Sequence, residues 1–225
     1  MKIAIIGSGF YGCSLAITLS KKNKVDLYEK EQNIFNGASS CNQFRYHSGY
    51  HYPRSQKTVN EINKSKNFFI SYNGKKVFQK TSNYYLIANE SKINFKKYKK
   101  FLKKNNLYNK DVNNLVLSKK IDKAILSNEK ILNYFEYKKS LLNKIKKSKL
   151  RINLNKEFKK SLLKNYDKVI IATYANNNKI LDKLGIKKLH EFKYELVEKI
   201  LIKLPKYLSK KSFVVIDGKF VCVDP

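Results

Sequence analysis

Residues 1–29 carry the pattern that most restricts how this chain can fold. Lys2 to Ile6 is a short run of apolar, mostly β-branched side chains that predicts a buried strand, and Gly7 ends it. Apolar residues at helical spacing follow from Phe10 to about Lys22, and Val25 to Tyr28 predicts a second strand. Strand, glycine turn, helix and strand form a βαβ unit, whose right-handed crossover makes the strands parallel. We therefore expect an α/β fold built on a Rossmann-like parallel sheet.

The turn between the first strand and the helix has the spacing of a dinucleotide-binding loop, G-x-G-x-x-G. Gly7 makes the tight turn, Gly9 lets the backbone approach a pyrophosphate, and Gly12 lets the helix pack closely on the strand. Phosphates are favoured at the helix N-terminus by its unpaired N–H groups and dipole. The predicted cofactor-binding residues of this loop are Gly7, Ser8, Gly9, Phe10, Tyr11 and Gly12.

An acid at the end of the second strand supports the same interpretation. Glu29 can accept hydrogen bonds from a ribose diol, and its charge disfavours a 2′-phosphate. The alternative is a glycine turn without a ligand and a solvated strand end, but strand, spacing, helix and acid all agree with dinucleotide binding. These features do not distinguish NAD from FAD.

The window 37–55, GASSCNQFRYHSGYHYPRS, contains no Lys and holds two of the chain's three histidines. A metal site is disfavoured because only Cys41 accompanies His47 and His51 as a possible ligand. A serine nucleophile would need a base and a sharp turn that are not visible. One interpretation is a Tyr-rich loop packed over the sheet. The other is a loop beside the cofactor, with the polar partners Ser39, Ser40, Asn42 and Gln43 and the charged or proton-handling groups Arg45, His47, Tyr50 and His51.

The rest of the chain predicts a second, smaller α+β domain inserted into the first. A turn is expected at Ser71–Gly74, and a helix with a Lys-rich outer face at Ile93–Lys104. The other expected elements are strands at 77–78, 84–88, 151–154, 168–173, 194–204, 213–216 and 220–223, a helix at 131–147, and a hairpin turn at 217–218. The predicted domains are a cofactor-binding domain at 1–74 and 127–187, and a substrate domain at 75–126 and 188–225 that is incomplete at its C-terminal end.

The composition restricts the partners and the compartment. With 48 Lys and Arg against 17 Asp and Glu, the net charge of +31 would attract polyanions, but the excess is dispersed Lys without Arg-rich readers, so no specific nucleic-acid binding is predicted. The three cysteines form no CxxC pair, which favours a reducing cytoplasm. Glycines interrupt the apolar N-terminal run, which argues against a signal peptide, and no stretch has the length of a membrane span.

Four segments carry a resemblance to a known family: the G-x-G-x-x-G loop, Glu29-Lys30, the stretch ASSCNQFRYHSGYHYPRS and the later DKVIIAT. Together they resemble the FAD-dependent oxidoreductases of the D-amino-acid oxidase type, in which a dinucleotide fold binds FAD and an inserted domain covers the substrate. The resemblance is strongest over residues 1–55 and weaker at 167–174. Two features depart from the family: Thr173-Tyr174-Ala175 stands where a Thr-Gly pair is common, and family members continue beyond residue 225.

The resemblance implies a role for each matched position. The three loop glycines would hold the pyrophosphate, Glu29 the adenosine ribose, and Lys30 would neighbour the adenine. The remaining implied cofactor contacts are Ser39 and Ser40 to phosphate, Asn42 and Gln43 toward the flavin, and Thr173 at the end of a later strand.

The resemblance further implies oxidation of a small amine or hydroxy-acid substrate by hydride transfer to flavin. Arg45, His47, Tyr50 and His51 are then the candidates for orienting the substrate or handling its proton. The alternative is a truncated or degenerate dinucleotide-binding fragment that catalyses nothing.

Overall fold

The computed structural model describes residues 1–113, 119–218 and 221–225, and these form two compact units. The first unit contains Met1–Asn42 and Tyr137–Ile200, and the second contains Gln43–Glu136 and Leu201–Pro225. Both units are therefore discontinuous in sequence. Their limits differ from the predicted ones near residues 74, 126 and 187, and the division into a cofactor domain and a substrate domain stays a prediction.

The described elements alternate between helices and strands along most of the chain. In chain order they are β1 Lys2–Ile6, α1 Phe10–Leu19, β2 Lys24–Tyr28, β3 Arg45–Tyr46, α2 Gln56–Asn73, β4 Ser82–Ala88, α3 Phe95–Lys104, β5 Asn109–Val112, β6 Ile121–Ser127, β7 Lys130–Ile131, α4 Tyr134–Lys146, β8 Arg151–Asn153, β9 Lys168–Ile171, α5 Asn177–Leu184, β10 Lys211–Ile216 and β11 Val221–Val223.

The first unit is built on a parallel sheet with the strand order β8-β2-β1-β9. Residues 3–6 and 25–28 are buried throughout, as expected for strands that are covered on both faces. Ala4, Ile6 and Tyr28 pack with Phe158 and Leu184 in one apolar cluster. The predicted fold class, an α/β fold with a parallel sheet, is confirmed.

The second unit contains a mixed sheet with the strand order β11-β10-β4-β6-β5 and a two-stranded antiparallel sheet of β3 and β7. Within the mixed sheet β4 runs parallel to β10, whereas the other pairs are antiparallel. Tyr98 and Leu102 of α3 are buried in the same core as Tyr85 and Ile125 of the sheet. The Lys-rich helix predicted from residue 93 begins two residues later and packs its apolar side inward, as expected.

The helix α2 was not predicted, and it replaces the turn expected at residues 71–74. Ser55 caps its N-terminus by accepting a hydrogen bond from the Thr58 N–H, and the helix continues to Asn73. It ends where Gly74 takes a φ of +77°, a conformation that favours glycine. In the described part of the chain, no helix is both long enough and apolar enough to cross a membrane.

Two predicted strands are absent, and the predicted strand 220–223 begins outside the described residues. Residues 75–77 form a single 3₁₀ turn, and residues 191–205 have no regular structure. The alternating pattern of 194–204 predicted a strand, but Leu196 and Leu201 are 101% and 98% exposed, and no neighbouring strand pairs with them in the described residues. The predicted hairpin joins β10 to β11, although residues 219–220 lie outside the described residues.

Candidate functional site

The glycine loop of the first unit lies where β1 and β9 end, and it has no room for side chains at two of its glycines. Gly7 has a φ of +98°, and a Cβ added there would lie 2.6 Å from the Ala172 carbonyl oxygen. A Cβ added at Gly12 would lie 1.8 Å from the Gly7 carbonyl oxygen. Because both contacts are with backbone, no side-chain motion would relieve them. The motif glycines therefore make the close approaches that the sequence pattern predicted.

The loop leads directly into the N-terminus of α1. The cap residue Gly9 contributes no side chain, and the first turn carries no acid that would compete with an anion. The Phe10 N–H donates a hydrogen bond of 2.9 Å to the Ser39 hydroxyl oxygen. Ser39 also limits the space at Gly9, where an added Cβ would lie 3.0 Å from its Oγ. The structure thus brings the predicted residue Ser39 to the predicted loop.

Glu29 faces the same loop from the end of β2. Its Oε2 accepts hydrogen bonds from the Ser8 N–H, at 2.9 Å, and from the Ser8 hydroxyl, at 2.7 Å. Its Oε1 accepts from the Glu31 N–H at 3.1 Å. These contacts fix the carboxylate beside the turn, whereas Lys30 is exposed and forms an ion pair with Glu31 at 3.4 Å.

Thr173 is the other distant residue that the fold brings to the loop. Its methyl carbon would lie 3.1 Å from a Cβ at Gly7, and its N–H and hydroxyl both donate to the Asn177 side-chain oxygen at 2.9 Å. The Thr173 hydroxyl is therefore bound to Asn177, the first residue of α5. Tyr174 follows with a φ of +55°, the left-handed region in which the family's common glycine would be unstrained.

The other predicted cofactor residues have contacts of their own. The Ser40 hydroxyl donates to the Gly37 carbonyl at 2.8 Å, and the Asn42 amide donates to the Ala38 and Ser39 carbonyls at 3.3 Å, so both residues hold the 38–40 turn together. Phe10 stacks on Tyr137 with 5.0 Å between ring centroids, Tyr11 is exposed, and Gln43 begins the second unit.

The residues around the glycine loop fit a dinucleotide. At Gly7 and Gly12 the loop approaches backbone too closely for a side chain. The helix N-terminus behind the loop is free of acids, and a fixed carboxylate and a serine hydroxyl border it. This combination offers N–H donors for a diphosphate and an acceptor for a ribose diol.

The catalytic candidates lie in the second unit, around a carboxylate that the sequence analysis did not select. Arg45 is almost fully buried and forms ion pairs with Glu129, at 3.3 Å, and with Asp224. Its side chain also donates to the Ser212 hydroxyl at 2.6 Å. We refer to Arg45, Glu129 and Asp224 as the Glu129 cluster.

The electrostatics of the Glu129 cluster favour the charged forms of Glu129 and Arg45. Burial by itself would raise the pKa of Glu129, but the facing His47 and Arg45 outweigh it, so the pKa is lower than usual. Burial opposes the charged form of Arg45 as well, yet the neighbouring Tyr85 and the two carboxylates raise the pKa of its guanidinium. The cluster is therefore a paired, buried set of charges, which is the condition under which buried ions are tolerated.

The two histidines and Tyr50 border the Glu129 cluster. His47 Nδ1 lies 3.4 Å from Glu129 Oε1, and the His47 and His51 rings are 5.6 Å apart, centroid to centroid. The Tyr50 hydroxyl lies 2.6 Å from the Tyr108 carbonyl oxygen, and burial is the main cause that raises its pKa to about 12. The fold thus gathers all four catalytic candidates in one unit and adds Glu129 to them.

No sequence pattern pointed to Glu129. It lies two residues after the strand β6 and directly before β7 in a chain with few acids, and an acid beside an apolar strand end is the one hint available. Within the described ranges, no group of three or more His, Cys, Asp or Glu side chains is arranged to hold a metal ion.

The sequence and the fold were compared with known proteins. The sequence model of the family described as FAD dependent oxidoreductase, DAO, matches residues 2–201. The FAD-dependent monooxygenase kojA of Aspergillus flavus is 42% identical over 59 residues, which cover 26% of this chain and 14% of that protein.

Solved structures share the fold at low sequence identity. Glycine oxidase from Geobacillus kaustophilus superposes with a TM-score of 0.63 and 12% identity, over 82% of this chain and 58% of that one. L-proline dehydrogenase from P. horikoshii gives a TM-score of 0.64 and 17% identity, over 95% of this chain and 64% of that one. FAD-bound L-alpha-glycerophosphate oxidase from Mycoplasma pneumoniae gives a TM-score of 0.53 and 21% identity, over 69% of this chain and 45% of that one. The chain thus spans less than two thirds of the length of these proteins.

Proposed function

Since the chain belongs to the FAD dependent oxidoreductase family, we propose that its first unit binds FAD and that the whole protein oxidises a small amine or hydroxy-acid substrate by hydride transfer. The observation that carries the proposal is the glycine loop, with its backbone contacts to Ala172 and its bordering groups Glu29 and Ser39. FAD, when bound, would accept the hydride; the protein would supply position and charge.

In the first unit, the glycine loop, Glu29 and Ser39 would contact different parts of the cofactor. The loop glycines and the N-terminus of α1 would receive the pyrophosphate, and Glu29 would accept hydrogen bonds from the adenosine ribose. We assign Ser39 to the phosphates because its hydroxyl already lies at the first helical N–H. For Ser40, Asn42, Gln43, Lys30 and Thr173 the proposed cofactor contacts rest on the family resemblance.

The second unit would supply the proton chemistry. Removing a hydride from a C–H bond next to an amine or hydroxyl also requires that the N–H or O–H proton leaves, so that an imine or a carbonyl forms. His47 and His51 are the groups suited to accept that proton near neutral pH. For Arg45 and Tyr50, the buried contacts with Glu129 and with the Tyr108 carbonyl support a structural role rather than contact with a substrate.

Flavin retention tests the proposal. The purified chain should be yellow or should become yellow when FAD is added and excess FAD is removed. Gly12→Ala should lower FAD affinity at least about tenfold, because the added Cβ would lie 1.8 Å from the Gly7 oxygen. Gly37→Ala is the matched control, because a Cβ there meets nothing within 4 Å and should leave affinity unchanged. A parent protein that folds but retains no FAD would refute the proposal.

A second candidate function is dinucleotide binding without catalysis, which the glycine loop and Glu29 would support by themselves. The two candidates differ in anaerobic reduction. A panel of amino acids and 2-hydroxy acids should bleach the bound flavin if the chain is catalytically competent, and should leave it oxidised if the chain only binds.

We also propose a cytoplasmic location. Cys13, Cys41 and Cys222 are free thiols, and Cys13 is buried. A reducing compartment would keep these three thiols reduced.

A further inference from the structure

The short connection between β6 and β7 carries a buried carboxylate to which the proposed function gives no role. Glu129 is 2% exposed as a residue, and its side chain is fully buried. Burying a carboxylate is costly unless charged and hydrogen-bonding partners surround it. Glu129 therefore depends on the charged and hydrogen-bonding groups that surround it.

Strand pairing places this carboxylate opposite a candidate catalytic histidine. In the antiparallel ladder of β3 and β7, Arg45 pairs with Ile131 and Tyr46 pairs with Lys130. Continuing the same register by one residue sets His47 opposite Glu129. Directly opposite residues of an antiparallel pair are in side-chain contact range. The backbone thus imposes the approach of the two residues, and the 3.4 Å separation of Nδ1 and Oε1 follows from it.

Both ends of Glu129 are held in place. Oε1 accepts a hydrogen bond from the Tyr85 hydroxyl at 2.8 Å, and Oε2 accepts from the Ser48 N–H at 3.1 Å. The Glu129 carbonyl accepts from the Asn83 amide at 2.5 Å. With Arg45 on the same oxygen as Tyr85, the carboxylate has a single orientation available to it.

We propose that Glu129 is a positioning residue, which holds the His47 imidazole with Nδ1–H directed at the buried carboxylate and leaves Nε2 as the proton acceptor. The inference rests on the proposed function in taking His47 as a group that handles the substrate's proton. In a neutral imidazole one nitrogen donates and the other accepts, so fixing the donor at Nδ1 decides which nitrogen is basic. One third of the His47 side chain is exposed, so the ring lies between a buried anion and solvent.

The neighbouring groups differ from Glu129 in what they offer His47. His51 and Tyr52 lie at 5.6 Å, ring centroid to centroid, and present ring edges rather than a hydrogen-bond acceptor at Nδ1. The other charged groups that act on the histidine pair are Arg45, which shares Oε1, and Asp217. Of these groups, Glu129 is the acceptor at ion-pair distance from Nδ1.

Nitrogen-15 NMR of the histidine rings tests the proposal on the chain without added FAD. The chain has three histidines, so each ring can be assigned with His→Gln variants. Neutral His47 should be predominantly the Nδ1–H tautomer. Glu129→Gln should move the tautomer ratio toward Nε2–H at least about fivefold, because the amide can present a donor to Nδ1. Glu129→Asp, which keeps the charge, should restore part of the ratio.

Two controls separate positioning from general damage. Tyr85→Phe removes another donor from the same oxygen but leaves the anion, so it should leave the His47 tautomer as in the parent. His190 is exposed in the first unit and should be unchanged in every variant.

Two results would overturn the proposal. One is a folded Glu129→Gln protein with the parent's His47 tautomer. The other is an Nε2–H tautomer in the parent, which can be measured even if the variant does not fold. Because no FAD is present, either result leaves the proposed flavin binding standing, and a failure to retain FAD leaves the tautomer result standing.

Discussion

At the scale of single residues, burial and neighbouring charge distinguish His51 from the other histidines. Burial is the main cause that lowers the pKa of His51 below its ordinary value of 6.5, and the nearby His47 and Arg45 add to the effect. His51 is therefore neutral at pH 7, which suits a group that must accept a proton. The same burial makes the folded protein sensitive to acid.

The pH dependence of stability follows from this lowered pKa. A group whose folded-state pKa is below its unfolded value contributes stability that is present above the unfolded pKa of 6.5 and is lost as pH falls through the folded pKa. We expect the free energy of unfolding to fall as the pH drops below 6.5, because the unfolded chain then binds a proton that the folded His51 resists. His51→Gln should flatten that slope in urea denaturation series. His190→Gln, at an exposed position, should not, and equal slopes in all three proteins would contradict the prediction.

At the scale of secondary structure, α4 shows how burial rather than residue type decides the contribution of a side chain. Leu141 is fully buried, whereas the adjacent Leu142 is 36% exposed. Phe135, another apolar residue of α4, is 77% exposed. A helix turns about 100° per residue, so neighbouring leucines can differ in how far they face the core.

Truncating each leucine tests this difference. Leu141→Ala should cost about 2–5 kcal/mol of unfolding free energy, because it removes a buried side chain and leaves a cavity. Leu142→Ala should cost less than about 1 kcal/mol. Chemical denaturation of the two variants measures both values. Equal losses of unfolding free energy in the two variants would contradict the buried position of Leu141 and the exposed position of Leu142.

At the scale of the whole molecule, the charge of +31 is the dominant property. On α3, for example, Lys96, Lys97 and Lys100 are exposed, whereas the inner face carries Tyr98 and Leu102. A dispersed positive field attracts polyanions without reading their sequence.

We therefore expect DNA binding that is weak, indifferent to sequence and strongly dependent on salt. The affinity should fall by about a thousandfold or more between 50 and 200 mM salt, as bound counterions are released. Fluorescence anisotropy with two unrelated duplexes measures the affinity and the preference together. Binding that persists at 200 mM salt, or a clear preference for one duplex, would instead indicate a specific nucleic-acid site.

Much of the first unit could be predicted because its signals are local. The run Lys2–Ile6, the glycine spacing and the acid at Glu29 lie within one βαβ unit. In this unit the two strands that follow one another in the sequence also pair with each other in the sheet. The helix α2 was missed although Ser55 offered a capping signal, and the strand expected at 194–204 did not form because a strand also needs a partner. Alternation alone cannot supply that partner.

The local sequence pattern predicts the parallel sheet and the glycine loop, and four segments carry the resemblance to FAD-dependent oxidoreductases. Which groups meet at the histidines depends on the tertiary fold. Arg45 and Glu129 are 84 residues apart in the chain, and the register of β3 against β7 joins them. Local periodicity reports how a segment folds, whereas the pairing of distant strands depends on the closure of long loops and on shared burial, which no short window of sequence contains.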